Sequence, residues 1–304
     1  MNAICSLLDE THASLSNDHR DLEVMGQLCR SLNDIRERVS KEEWKFVQSR
    51  CLSHPLRELL HQDPFTSRAF DKPRGYAGDA VMMDYIYSGV APPGTSDMGA
   101  KVFSATTRLP GPLSVIQRRN YIAQLIDDIA RQNTHPRILS VACGHLIEAG
   151  CSQAVQSGAV EAFYALDQDP QSLAKVEADK PEGARIITVN ASVKSIMEGR
   201  ISYANLNLIY ALGLYDYLSE EAAKKLTESL FEMLAPNGKL VLLNFTPDNH
   251  GRGYMEAFMD WFLIYRDEYQ LRSCSSAIDR HRIADIRAFR DCHRNIAYLE
   301  IVKS

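Results

Sequence analysis

The residues best suited to chemistry stand where apolar runs of the chain end. The run at 137–142 closes in Val141-Ala142-Cys143-Gly144-His145-Leu146-Ile147-Glu148. A small residue, Ala142, and a glycine, Gly144, let a ligand approach the backbone at the start of a helix. The next run ends in Asp167-Gln168, with Asp167 placed 23 residues after Gly144. That is close to the offset of about 20 at which an acid accepts hydrogen bonds from ribose hydroxyls. Glycine turn and acid together suggest a nucleoside site, whereas the turn alone is more often a plain tight turn. Glu148 either favours the positive end of a helix or meets an amine. Tyr210, Tyr215, Asp216 and Tyr217 close the fourth run, where aromatic faces either pack or attract a cation. Cys143 reads as small core filler and not as a nucleophile.

Two further segments hold polar groups in patterns suited to binding. Arg74-Gly75-Tyr76-Ala77-Gly78-Asp79 is either a loop folded closely over a ligand or a salt-bridged turn. Asn249, His250, Arg252 and Tyr254 either recognise a carboxylate or cap the next helix. That helix, read as YMEAFMDWFLIYRDEY, is expected to turn Trp261, Phe262 and Ile264 toward the core. A hydroxyl or amine substrate would need a base, for which His145, His250, Tyr76 and Asp79 are the candidates.

The elements that must position these groups fall into two texts. Up to about residue 133 the pattern is helical. Leu22, Met25, Leu28, Leu32 and Ile35 are spaced by threes and fours, which builds one apolar face. Ser40-Lys-Glu-Glu43 has capping-box spacing, and LSVIQRRNYIAQLIDDIARQ predicts a last helix. From Thr134-His135-Pro136 onward, strand-like runs at 137–142, 161–167, 185–190, 207–212 and 239–245 alternate with helical segments. This alternation predicts a parallel sheet with crossover helices. Residues 219–234 predict an amphipathic helix ending at Pro236-Asn237-Gly238. NIAYLEIV at 295–302 predicts a final antiparallel strand at or near the sheet edge. The expected organisation is a helical cap over 1–133 and a doubly wound, Rossmann-like α/β domain over 134–304. In such a sheet, ligands bind beyond the carboxyl ends of the strands.

Composition removes several function classes. Of the 304 residues, 34 are Lys or Arg and 39 are Asp or Glu, a net charge of −5. This leaves no electrostatic footprint for nucleic acid or an anionic membrane. Hydrophobic residues make up 45%, enough for a sizeable core. No apolar run approaches the 18 or so residues of a membrane span. The early acids Asp9 and Glu10 stand where a signal peptide would be apolar, so a cytoplasmic location is expected. Seven scattered cysteines without a C-x-x-C pair point to reduced thiols and to no metal site.

In order and spacing, ILSVACGHLIEA, YALDQDP, LNLIYALGLYDYL and MLAPNGKLVLLNF resemble the motifs of class I S-adenosylmethionine-dependent methyltransferases over most of residues 134–304. RGYAGDAVMMDYIYSG (74–89) and NFTPDNHGRGYMEAFMDWFLIYR (244–266) resemble, more narrowly, bacterial enzymes that make 3-hydroxypalmitic acid methyl ester. The resemblance implies S-adenosylmethionine as cofactor. Ala142, Gly144, His145, Glu148 and Tyr210 would lie around its methionine and ribose, Asp167 and Gln168 at the ribose, and Asn190 and Ser192 near adenine. It further implies Tyr76, Asp79, Tyr215 and Arg252 around the reacting centre, and a small-molecule carboxylate or hydroxyl acceptor. The chain departs from the family at Ser140, where an acid is usual, and at Ala142 and Leu146, where glycines are. Two other readings stay open. One is a cyclase that closes the cofactor itself to azetidine-2-carboxylate, releasing methylthioadenosine. The other is a non-catalytic cofactor sensor.

Overall fold

The computed structural model describes residues 2–17 and 20–304. The chain begins with α1 (Asn2–Asn17), α2 (Asp21–Arg38), α3 (Lys41–Ser53), α4 (Leu56–Leu60), α5 (Pro64–Asp71), α6 (Ala80–Ser88) and α7 (Asp97–Thr106). It continues with α8 (Pro110–Gln132), β1 (Arg137–Val141), α9 (Ile147–Gly150), α10 (Gln153–Gln156), β2 (Ala162–Asp167), α11 (Pro170–Asp179), β3 (Ile186–Asn190), α12 (Val193–Met197) and β4 (Leu206–Ala211). α13 (Glu220–Glu232), β5 (Leu234–Phe245), α14 (Arg252–Phe258), α15 (Glu268–Ser273), β6 (Ile283–Arg290) and β7 (Ile296–Lys303) complete it. No helix among the described residues is long and apolar enough to cross a membrane.

Two compact units result. One comprises residues 1–116 and 249–262, the other 117–248 and 263–304. The division thus falls inside α8 instead of at residue 134. Residues 249–262, expected with the sheet, belong to the helical unit.

In the helical unit the starts of the helices follow from their sequence. Ser40 and Glu43 form the predicted capping box of α3, Asp63 caps α5 ahead of Pro64, and Asp79 caps α6. Each cap satisfies backbone N–H groups that the first turn leaves without partners. α14 packs so closely on α2 that a Cβ on Gly253 would lie 2.6 Å from the backbone carbon of Leu32. Polar contacts secure it: Asn33 Oδ1 accepts from Gly253 N–H at 2.6 Å, Arg36 donates to Glu256 at 2.7 Å, and Gln48 donates to the Glu256 carbonyl at 2.7 Å. The long helix expected over 254–269 does not form. Asp260 takes a left-handed φ of 46°, which ends α14. Trp261 is buried as expected, but Phe262 and Ile264 are 51% and 43% exposed, because the chain beyond the break is extended and no longer repeats every 3.6 residues.

The other unit is the predicted doubly wound sheet, in the order β3-β2-β1-β4-β5-β7-β6. β1 to β5 are parallel, and β7 runs antiparallel between β5 and β6. The final strand is therefore one place in from the edge. The edge is β6, absent from the sequence reading. Its IADIRAFR text alternates small, charged and apolar residues, a weak signal typical of an edge strand with a wet face. Alternation along the strands divides the core. Val141, Ile209, Ala211, Leu242 and Leu299 face Leu226, Leu230 and Phe231 of α13. Tyr210 and Tyr298, one residue out of phase, point to the opposite face, where Tyr298 meets Tyr121 of α8 at 5.2 Å.

Candidate functional site

The switch point of the sheet lies between β1 and β4, whose neighbours wind outward in opposite directions, and the loop after β1 opens there. Ala142, Gly144 and Leu146 all have positive φ, at 54°, 54° and 53°. Ala142 and Leu146 therefore keep a backbone geometry that glycine adopts without strain. Left-handed backbone at a residue with a Cβ costs about 1–2 kcal/mol, so the surrounding bonds must hold the turn. Cys143 N–H donates to the Leu166 carbonyl at 3.0 Å, and Gly144 N–H donates to Asp167 Oδ2 at 2.8 Å.

Asp167, 6% exposed, links the two loops that matter. Its Oδ1 accepts from Asp169 N–H at 2.9 Å, while Oδ2 holds Gly144. Each carboxylate oxygen retains further acceptor capacity for a hydroxyl. Asn190 supports the end of β2 from β3, donating to the carbonyls of Asp167 and Gln168 at 3.2 Å each. Gln168 and Asn190 are exposed and Ser192 is half-buried at the start of α12, so these three form the solvent side of the group.

Beneath the loop lies a buried polar pair. Glu148 and Tyr210 are 3% and 0% exposed, and the Tyr210 hydroxyl donates to Glu148 Oε1 at 2.7 Å. Burial pushes the Glu148 carboxyl up from the ordinary range, with the Tyr210 bond opposing it. Burial also pushes the Tyr210 hydroxyl and the Cys143 thiol well up, which leaves Cys143 without thiolate character. His145 is buried in the same loop.

Sequence reading missed Arg118. It is 5% exposed and donates from Nη1 to the Leu212 carbonyl at the end of β4, at 2.8 Å. Its signal was present: Arg118 stands in register with Val115, Ile122 and Leu125 on the apolar side of α8, a position at which a charge is out of place.

The structure therefore brings together Ala142, Gly144, His145, Glu148, Asp167, Gln168, Asn190, Ser192 and Tyr210. Of the residues expected at the reacting centre, Tyr215 belongs to the same unit and Tyr76, Asp79 and Arg252 to the helical unit. Tyr215, on the α13 side of the sheet, is 0% exposed, and its hydroxyl is engaged with Thr227 at 2.9 Å. Asp79 is fully buried, caps α6 through Met82 N–H at 2.9 Å and accepts three bonds from Arg68, from Nε at 2.8 and 3.0 Å and from Nη2 at 2.6 Å. Of the two readings of that segment, the salt-bridged turn is the one that describes Asp79. Tyr76 is half-buried in the helical unit. Arg252 pairs with Glu256 one turn along α14 at 2.9 Å. Asn249 Oδ1 accepts from Gly251 N–H at 3.0 Å, and the Tyr254 hydroxyl bonds Thr66 at 2.8 Å, so both serve the fold of the helical unit.

Among solved structures the chain is similar to a possible exported protein from Bordetella parapertussis, at 17% identity, covering 93% of this chain and 95% of that one, with a TM-score of 0.64. It also matches the magnesium protoporphyrin IX methyltransferase of Synechocystis with bound S-adenosylhomocysteine, at 13% identity over 74% of this chain and 98% of that one, TM-score 0.48. A third match is an N-methyltransferase from Bradyrhizobium japonicum in complex with S-adenosylhomocysteine, at 14% identity over 62% and 87%, TM-score 0.43. The first of these likenesses supports the α/β fold over nearly the whole length. No protein-family model matches the chain, nor does any curated protein.

Proposed function

We propose that the chain binds S-adenosylmethionine at the β1 loop and transfers its methyl group to a small-molecule acceptor bearing a carboxylate or hydroxyl. The observation that carries this reading is the bond from Gly144 N–H to Asp167 Oδ2. It sets a buried carboxylate, with acceptor capacity to spare, beside a tight turn of small residues at the switch point of the sheet. The residues fit the group: Asp167 for the ribose hydroxyls, Ala142 and Gly144 for close approach to the backbone, Glu148 for an amine, and Gln168, Asn190 and Ser192 along the rim for the base.

When bound, the cofactor supplies a methyl group on a sulfonium, which an in-line nucleophile displaces. Positive charge disappears in that transition state, so the protein needs to align the reactants and exclude water. A carboxylate acceptor arrives ionised and needs no base. For a hydroxyl acceptor, His145 is the candidate base carried by the β1 loop itself, since Asp79 is committed to Arg68 and α6.

The test is incubation of the full chain with S-adenosylmethionine, first alone and then with small carboxylic acids and alcohols, with products followed by mass spectrometry. S-adenosylhomocysteine together with a methylated acceptor is the expected result. Methylthioadenosine and azetidine-2-carboxylate from the cofactor alone would replace methyl transfer by cyclisation. Absence of cofactor binding would overturn the reading.

A further inference from the structure

The proposed chemistry makes no use of the edge of the sheet at β6. From Asp285 to Arg290 this strand keeps one unbroken antiparallel register with β7, and just past it Asp291 N–H donates to the Ile296 carbonyl at 3.0 Å. Backbone groups alternate in direction along a strand. Those of Asp285, Arg287 and Phe289 therefore face β7, as Asp291 does, and those of Ile286, Ala288 and Arg290 face outward. The Ile286 carbonyl agrees, since it accepts from Arg272 Nη1 of α15 at 3.2 Å. That oxygen keeps a second lone pair, and the N–H groups of Ile286 and Ala288 find no partner among the described residues.

Edges of this kind are ordinarily protected by proline or by charge. β6 contains no proline, and its two exposed charges, Asp285 and Arg287, are of opposite sign and two residues apart. They share the face opposite Ile286 and Ala288, which pack toward the α13 core. Arg287 gives Nε to Glu300 Oε2 at 2.7 Å. Its remaining donors and the Asp285 carboxylate enter no ion pair among the described residues. Charges of one sign would repel a second copy of the strand, whereas this arrangement is complementary to itself.

We propose that β6 pairs antiparallel with β6 of a second copy of the chain, about a twofold axis at Ile286, so that two sheets become one. Ile286 of each copy exchanges backbone hydrogen bonds with its counterpart, and Asp285 of each lies opposite Arg287 of the partner subunit. Charge selects this register. A centre at Asp285 or Arg287 sets like charges against each other, and a centre at Ala288 sets Asp285 against Asp291. A centre between two residues sets the charged face against the core face. The contact lies within the unit that holds the sheet and is independent of what the β1 loop binds.

Sedimentation velocity of the full chain over a concentration series up to about 100 µM tests the pairing. Expected is a monomer–dimer equilibrium that weakens as salt rises, because two charge pairs support it. Asp285→Arg turns both attractions into repulsions and leaves the Arg287–Glu300 bond in place, so it should raise the dissociation constant tenfold or more. Asp285→Arg combined with Arg287→Asp exchanges the signs and should restore the dimer, with circular dichroism to show that the chain is folded. Ile286→Cys reads the register without touching either charge. Residues that face each other in a hydrogen-bonded pair lie about 5.5 Å apart, within disulfide reach, so mild oxidation should give a peptide joined through residue 286 of both copies. A chain that stays monomeric throughout the series overturns the proposal. So does a dimer that Asp285→Arg leaves as strong as before, since its contact lies elsewhere. A dimer that yields no peptide joined at residue 286, or a folded sign-exchanged variant that stays monomeric, overturns the Ile286 register.

Discussion

Asp167 carries two duties that one substitution can separate. Asp167→Asn keeps the shape of the side chain and one acceptor oxygen, but loses the charge and turns an acceptor into a donor facing Gly144 or Asp169. Cofactor affinity measured by calorimetry should fall at least tenfold, and Tm should drop by a few degrees because one backbone N–H loses its acceptor. Unchanged affinity in the folded variant would remove Asp167 from the site. Tyr215 makes the converse case. Tyr215→Phe should cost about 1 kcal/mol of stability through the lost Thr227 bond and leave cofactor affinity untouched, whereas lost binding at unchanged stability would return it to the site. The thiols are also separable. Burial pushes Cys29 and Cys51 up to about 12, while Cys151 and Cys292 are exposed. Brief treatment of the native protein with a thiol reagent at pH 8 should therefore label Cys151 and Cys292 ahead of Cys29, Cys51, Cys143 and Cys274, as peptide mapping would show.

At the level of the elements, the β1 loop and α14 make opposite demands on glycine. The loop places Ala142 at a φ of 54°, where its Cβ is a burden, so Ala142→Gly should fold normally. Its relief of left-handed strain offsets the extra chain entropy of glycine, and Tm should stay within a few degrees of the parent. α14 instead needs the absence of a Cβ at Gly253, where one would lie 2.6 Å from the Leu32 backbone. Backbone cannot rotate away as a side chain can, so Gly253→Ala should destabilise the protein by about 2 kcal/mol or more, read as a lower urea midpoint. Equal behaviour of the two variants would contradict the packing described for one of them.

Over the whole molecule, buried acids set the dependence of stability on pH. Burial pushes Asp63 up to about 6, against the hydrogen bonds from Thr66, Phe65 and Thr106, and Asp216 is likewise pushed up to about 6. Each folded-state value lies above the unfolded one, so between roughly pH 4 and 6 the native state holds protons that the unfolded state has released. Stability from these groups is therefore greatest below the unfolded value and declines as pH rises through that window. The decline is on the order of 3 kcal/mol for a two-unit displacement. Asp63→Asn should lose some stability at every pH through imperfect acceptors, but its Tm should fall less than the parent's between pH 4 and 7. A parallel pair of Tm–pH curves would show that Asp63 is ionised in the native state throughout.

The sequence by itself determined the architecture, because periodicity is a local property: threes and fours up to residue 133, then alternating strand and helix text that only a doubly wound sheet can bury. It also drew attention to Gly144 and Asp167, which stand at strand ends and are joined by a hydrogen bond in the fold. Other features depended on contacts between residues far apart in the chain. The transfer of 249–262 to the helical unit rests on Asn33, Arg36 and Gln48, some two hundred residues away. The pairing of Asp79 with Arg68 and of Tyr215 with Thr227 likewise became visible only in the fold. Arg118 looks from sequence like a stray charge on an apolar stripe. Only folding places its guanidinium on the Leu212 carbonyl at the end of β4, because a helix before the sheet and a strand deep within it become neighbours through tertiary packing alone.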